Sequence, residues 1–78
     1  MSRLLAKLLP SKLTMEAAEQ AARAECERRG WPWNEPVSRS RGFRGYRFWT
    51  NARTIGGNAE IVVDANTGEI RRAWMGVR

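Results

Sequence analysis

Ala59-Glu60-Ile61-Val62-Val63-Asp64-Ala65-Asn66-Thr67-Gly68-Glu69-Ile70-Arg71-Arg72-Ala73-Trp74-Met75 is the stretch that decides the fold. In an extended chain Ile61 and Val63 project to one side and Glu60, Val62 and Asp64 to the other, the period of two of a half-buried strand. Asp64 to Gly68 is rich in turn residues, and Gly68 can supply the positive φ of a bulged turn. A second strand, Glu69 to Met75, follows at once, so the two must run antiparallel.

The same alternation recurs upstream. Between Arg44 and Asn51, Tyr46 and Phe48 project to one face while Arg47 and Trp49 project to the other. Ala52 to Asn58 contains Gly56-Gly57 and reads as the loop between these strands. A short further strand is expected at Val37 to Ser40, ending in the Arg41-Gly42 turn signal. Before it, Trp31-Pro32-Trp33-Asn34-Glu35-Pro36 reads as an extended crossover, because each proline disfavours helix at itself and at its predecessor.

Preceding the crossover, MEAAEQAARAECERR is dense in strong helix formers. Thr14 suits the N-cap, Glu16 and Glu19 lie where the helix dipole favours acids, and Arg28, Arg29 and Gly30 mark the end. The inner stripe of this helix, about 14–29, is Met15, Ala18, Ala22 and Cys26, flanked by Ala21 and Glu25. Small residues dominate the stripe, so the helix can lie close against a sheet of bulky side chains. The expected architecture is therefore α+β: one N-terminal helix packed on a three- to four-stranded antiparallel sheet.

Seventy-eight residues make room for one domain, residues 14–78, behind a leucine-rich arm at 1–13. A core of that size leaves net stability of roughly 3–5 kcal/mol. The single cysteine cannot close an internal disulfide, and with no histidine in the chain there is no zinc set, so neither metal nor cofactor is expected. In the arm, Lys7 and Pro10 interrupt the leucines, and the run falls short of the roughly 20 apolar residues of a membrane span. No small-x-small cleavage site follows at the right distance. The arm reads as flexible or partly helical and the protein as cytoplasmic, with export as the alternative.

The helix opening Thr14-Met15-Glu16-Ala17, the strand Tyr46-Arg47-Phe48-Trp49 and the segment from Ala59 through Asp64-Ala65-Asn66-Thr67-Gly68-Glu69-Ile70 together resemble PepSY-type domains over roughly residues 14–75. The Gly57-Asn58 step before that segment is similar to small bacterial toxin-immunity proteins. PepSY resemblance implies a non-enzymatic domain of helix-then-sheet order that binds peptides or inhibits peptidases.

Catalysis finds few residues to work with. No histidine is present to complete a triad, and Cys26 on the helix stripe reads as a buried small hydrophobe. Asp64 and Glu69 read as a turn acid bonded to local amides and a solvated acid, not as a general acid–base pair. What remains is recognition. The net charge of +6 favours acidic partners, and four tryptophans exceed what so small a core needs. Trp49, Trp74, Arg47, Arg71, Arg72, Trp31 and Trp33 are the expected partner-binding residues, for a protein or peptide or for a second copy in a homodimer. The alternative is single-stranded nucleic acid, stacked and neutralised by Arg41, Phe43, Arg44, Tyr46 and Arg53.

Overall fold

A computed structural model describes residues 13–43 and 45–76. Helix α1, Met15–Arg29, starts at Thr14, whose hydroxyl accepts the Ala17 N–H at 3.0 Å. It ends at Gly30, in the left-handed conformation with φ 77°; Gly30 N–H donates to Glu27 O and Trp31 N–H to Cys26 O. That pair of bonds closes the helix in a Schellman arrangement, which only a residue without a Cβ adopts at no steric cost.

Four strands follow: β1 Ser38–Arg41, β2 Gly45–Trp49, β3 Ala59–Asp64 and β4 Ile70–Met75. They form one antiparallel sheet in the order β1-β2-β3-β4, each strand pairing with its neighbour in sequence. The first strand starts and stops one residue later than the sequence indicates, because Val37 leaves the ladder to bury its side chain in the core. The leucine-rich arm up to residue 12 lies outside the described residues. Leu13, just after it, is pinned: its N–H donates to Ala65 O and its carbonyl accepts the Tyr46 hydroxyl at 2.6 Å.

The core lies between α1 and one face of the sheet. Ala18, Ala22 and Cys26 from the helix meet Tyr46, Phe48, Ala59, Ile61 and Val63 from β2 and β3, with Val37 beside them. Phe48, Ile61 and Val63 are fully buried, each stabilising the fold by about 1.5–3 kcal/mol. Alanines on the helix are what let those larger side chains fill the gap without forcing the layers apart.

At its edge the helix is held to β1 by charge. Arg39 grips Glu19 with two hydrogen bonds, Nε to Oε1 at 2.6 Å and Nη2 to Oε2 at 2.9 Å. The guanidinium of Arg39, with help from Arg23, holds the Glu19 carboxyl down to a pKa of about 2 against the cost of its burial.

Asn58 organises the long β2–β3 loop. Its buried amide reaches the carbonyls of Thr50, Asn51 and Thr54, and its Oδ1 accepts the Gly56 N–H. Thr50, also buried, accepts the Ala59 N–H at 2.9 Å. This loop thus satisfies its own inward polar groups, as buried backbone requires.

Candidate binding surface

The face of the sheet turned away from α1 carries no covering element among the described residues. Register places Ser38, Trp49, Glu60 and Trp74 in one row across the strands, and Ser40, Arg47, Val62 and Arg72 in the next. Strand β4 then breaks its alternation. Val62 pairs with Arg72 but Val63 pairs with Ile70, so Arg71 is an extra, unpaired residue. The bulge turns Ile70 and Ala73 inward against the core while Arg71, Arg72 and Trp74 stay on the outer side. From a two-residue period alone Arg71 and Arg72 would face opposite ways.

Glu60 is the hub of this surface. Its side chain is only 10% exposed, and it accepts hydrogen bonds from Arg47 Nε and Trp74 Nε1, with Arg72 Nε at 3.1 Å. Burial alone would raise its pKa, but the hydrogen bonds from Arg47 and Trp74 and the charges of Arg47 and Arg72 outweigh burial and leave it lowered. The carboxylate is thereby kept ionised, and it fixes both guanidiniums. Trp49 and Trp74 flank it with ring centroids 6.1 Å apart at 60°, and the Arg47 guanidinium lies 5.5 Å from the Trp49 ring.

Beside the hub the face dips. A depression of about 600 Å³ is lined by Ser40, Phe43, Gly45, Arg47, Glu60, Val62, Arg71 and Arg72, among others. Gly45, one of its lining residues, is dictated by backbone geometry. Gly45 has φ 141°, and a methyl group there would stand 2.1 Å from the Val63 carbonyl oxygen, so no side chain can occupy this point of the sheet. Arg71 closes one wall, paired through Nη1 with Asp64 Oδ2 at 2.9 Å. Asp64 also accepts the amides of Asn66 and Thr67, and these bonds first, then Arg71, hold its pKa below the usual range. Phe43 stands at the hairpin tip with its side chain fully in solvent.

Of the residues expected to bind a partner, the structure gathers Trp49, Trp74, Arg47, Arg71 and Arg72 on this one face. Trp31 and Trp33 lie instead on the helix side of the sheet and pack against the core. Trp33 meets Phe48 at 6.0 Å, with Arg23 5.1 Å from its ring, and Arg29 stands equally close to Trp31. Those two indoles therefore cannot share a partner footprint with Trp49 and Trp74.

The nucleic-acid set is scattered. Tyr46 is 6% exposed and its hydroxyl is engaged, so it offers no face for a base. Arg41 stands 5.5 Å from that ring on the helix side, Arg53 lies in the β2–β3 loop, and Arg44 is outside the described residues. Among the described residues of this set, only Phe43 borders the depression. Glu60, Gly45 and Ser40 were not singled out from sequence. The signal for Glu60 was present: a hairpin that closes with Asp64 opposite Glu69 sets Glu60 opposite Trp74, but only if the bulge is counted.

Cys26 is buried, and burial pushes its thiol pKa up, away from the thiolate that a nucleophile needs. Among the described residues no three metal-ligating side chains converge, and no helix is long and apolar enough to cross a membrane. Comparison with known proteins returns no match for this chain, whether family model, curated protein or solved structure.

Proposed function

We propose that the chain is a non-catalytic protein- or peptide-binding module, of the PepSY-like or immunity-like kind that its sequence resembles, and that it engages its partner with the outer sheet face. The observation that carries this reading is the meeting of Trp49 and Trp74 with Arg47 and Arg72 around Glu60, on the same face as the depression that Arg47, Arg71 and Arg72 line. Tryptophan and arginine are the side chains that most often dominate binding energy, and here they are held in place before any partner arrives.

Recognition by strand addition has less support. β1 is four residues long with Arg39 and Arg41 on it, and β4 is bulged at Arg71; short, charged and bulged edges are poor templates for another strand. Self-association through this face is disfavoured too. With the two-fold axis at the arginines the clusters would face each other, while Glu60 and Asp64 are already engaged within the chain. Nucleic acid would need a run of cations and open rings, but two carboxylates stand among these arginines.

The test is an array of short peptides graded in charge and hydropathy, probed with the natural chain and with a Trp49→Ala/Trp74→Ala double variant. A subset retained by the natural chain and lost by the variant, from a chain that sediments as a monomer, is the expected result. Equal retention by both proteins, or a dimer abolished by the double substitution, would overturn the assignment to a foreign partner.

A further inference from the structure

The depression beside Glu60 is more than a gap between arginines. At one end of it the β2 backbone runs so close to Val63 that residue 45 must be glycine. On the adjoining positions of the face stand the small Ser40 and the partly buried Val62. The result is a depression with Val62 and the Glu60 carboxylate at its base and cationic walls, and its volume, about 600 Å³, is within the range of sites that hold small ligands.

The walls are prepared in a particular way. Arg47 and Arg72 are fixed to Glu60 through Nε, and Arg71 to Asp64 through Nη1. The terminal nitrogens of Arg47 and Arg72 make no hydrogen bond within the described residues, so each guanidinium is oriented on one side and open on the other. A fork held in this manner loses little rotamer freedom when an anion arrives, unlike a solvated arginine. Three guanidiniums against two carboxylates leave one positive charge uncompensated in the cluster. That surplus suits a single carboxylate placed on the side of the guanidiniums away from Glu60, which itself lines the depression. A polyanion, drawn by diffuse charge, would meet Glu60 and Asp64 without such a choice of side.

Resting on the binding reading above, we infer that this depression accepts an aspartate or glutamate side chain of an extended acidic segment in a partner protein. The carboxylate is taken by the open sides of Arg47 and Arg72, with the charge of Arg71 beside them, and a neighbouring apolar side chain of the segment lies on Val62 against Phe43. Forked guanidinium–carboxylate contacts supply the specificity.

Fluorescence anisotropy with four labelled probes tests this: a short peptide alternating glutamate and leucine, its serine-for-glutamate and lysine-for-glutamate counterparts, and an oligouridylate of similar length. The glutamate peptide is expected to bind about tenfold or more tighter than the serine peptide, as loss of a charge-assisted hydrogen bond implies. Arg71→Gln should weaken it several-fold. Ser40→Phe, an exposed edge position that fills the depression without touching the core, should abolish it while circular dichroism stays unchanged. Serine or lysine peptides binding as well, oligouridylate binding tighter, or Ser40→Phe leaving affinity intact would each overturn the inference. Should array peptides bind through Trp49 and Trp74 without regard to charge, this inference alone falls. Should no peptide bind at all, the binding reading falls with it.

Discussion

The two faces of one sheet are built on opposite principles. Toward α1, alternate residues of β2 and β3 are Tyr46, Phe48, Ala59, Ile61 and Val63, all buried and held by non-directional packing. Away from α1, the intervening residues are Arg47, Trp49, Glu60 and Val62, and contact there is directional: guanidinium to carboxylate, indole N–H to carboxylate, ring to ring. The first face gains free energy by excluding water, and the second holds a fixed geometry in water's presence. In so small a domain that division teaches where stability resides and where binding can reside without disturbing it.

The largest effect should come from setting one face against the other. Phe48→Ala removes a fully buried ring at a cost of about 3–5 kcal/mol, comparable to the whole stability of a domain this size, so cooperative urea unfolding should vanish. Trp74→Ala on the outer face, where the ring is 39% exposed, should shift the midpoint by only about 1–2 kcal/mol and leave the transition cooperative. Equal losses would mean that the outer face is a second core.

A smaller effect is expected at the hub. Glu60→Gln keeps the shape but removes the charge that orients Arg47 and Arg72. Hydrogen bonds to charged groups contribute about 1.5–3 kcal/mol when sheltered, but these arginines are roughly half exposed, so solvent screening reduces the expected loss to about 1 kcal/mol. Mobility should rise at both arginines, visible as broadened or averaged guanidinium NMR signals. Sharp, unchanged signals would show that Glu60 does not position them.

The smallest effect is a slope. Glu19, Glu25, Glu60 and Asp64 all have lowered pKa values in the fold, Glu19 through Arg39 first, and falling from 4.5 to about 2. A depressed carboxylate contributes stability that is complete above its unfolded pKa and is lost as pH drops toward the folded one. Stability should therefore be flat from neutral pH to about 5 and decline below it. Arg39→Gln should flatten part of that decline between the two Glu19 values while leaving the contributions of Glu60 and Asp64. An unchanged acid profile would show that the clamp from α1 to β1 is not formed in solution.

Much of this was legible in the chain. Thr14 and Gly30 bracket the helix because a hydroxyl cap and a residue free of Cβ are local requirements, answered within a few positions. The paired faces of β2 and β3 follow from alternation, and the Asp64–Gly68 turn from residues that bond their own backbone. Trp31 and Trp33 were harder. A tryptophan's composition marks it as core or contact with equal force, and only the path of the crossover over the helix side settled which.

Sequence by itself determined the helix, the strands and the sorting of Tyr46, Phe48, Ile61 and Val63 from Arg47, Trp49 and Glu60, because period and capping are properties of neighbours along the chain. Tertiary structure alone decided that Arg71 and Arg72 share a face, that Glu60 joins Trp74 to Arg47, and that a depression opens at Gly45. Each of those depends on how one strand is offset against another, and a single bulged residue changes that offset without leaving any periodic trace in the sequence.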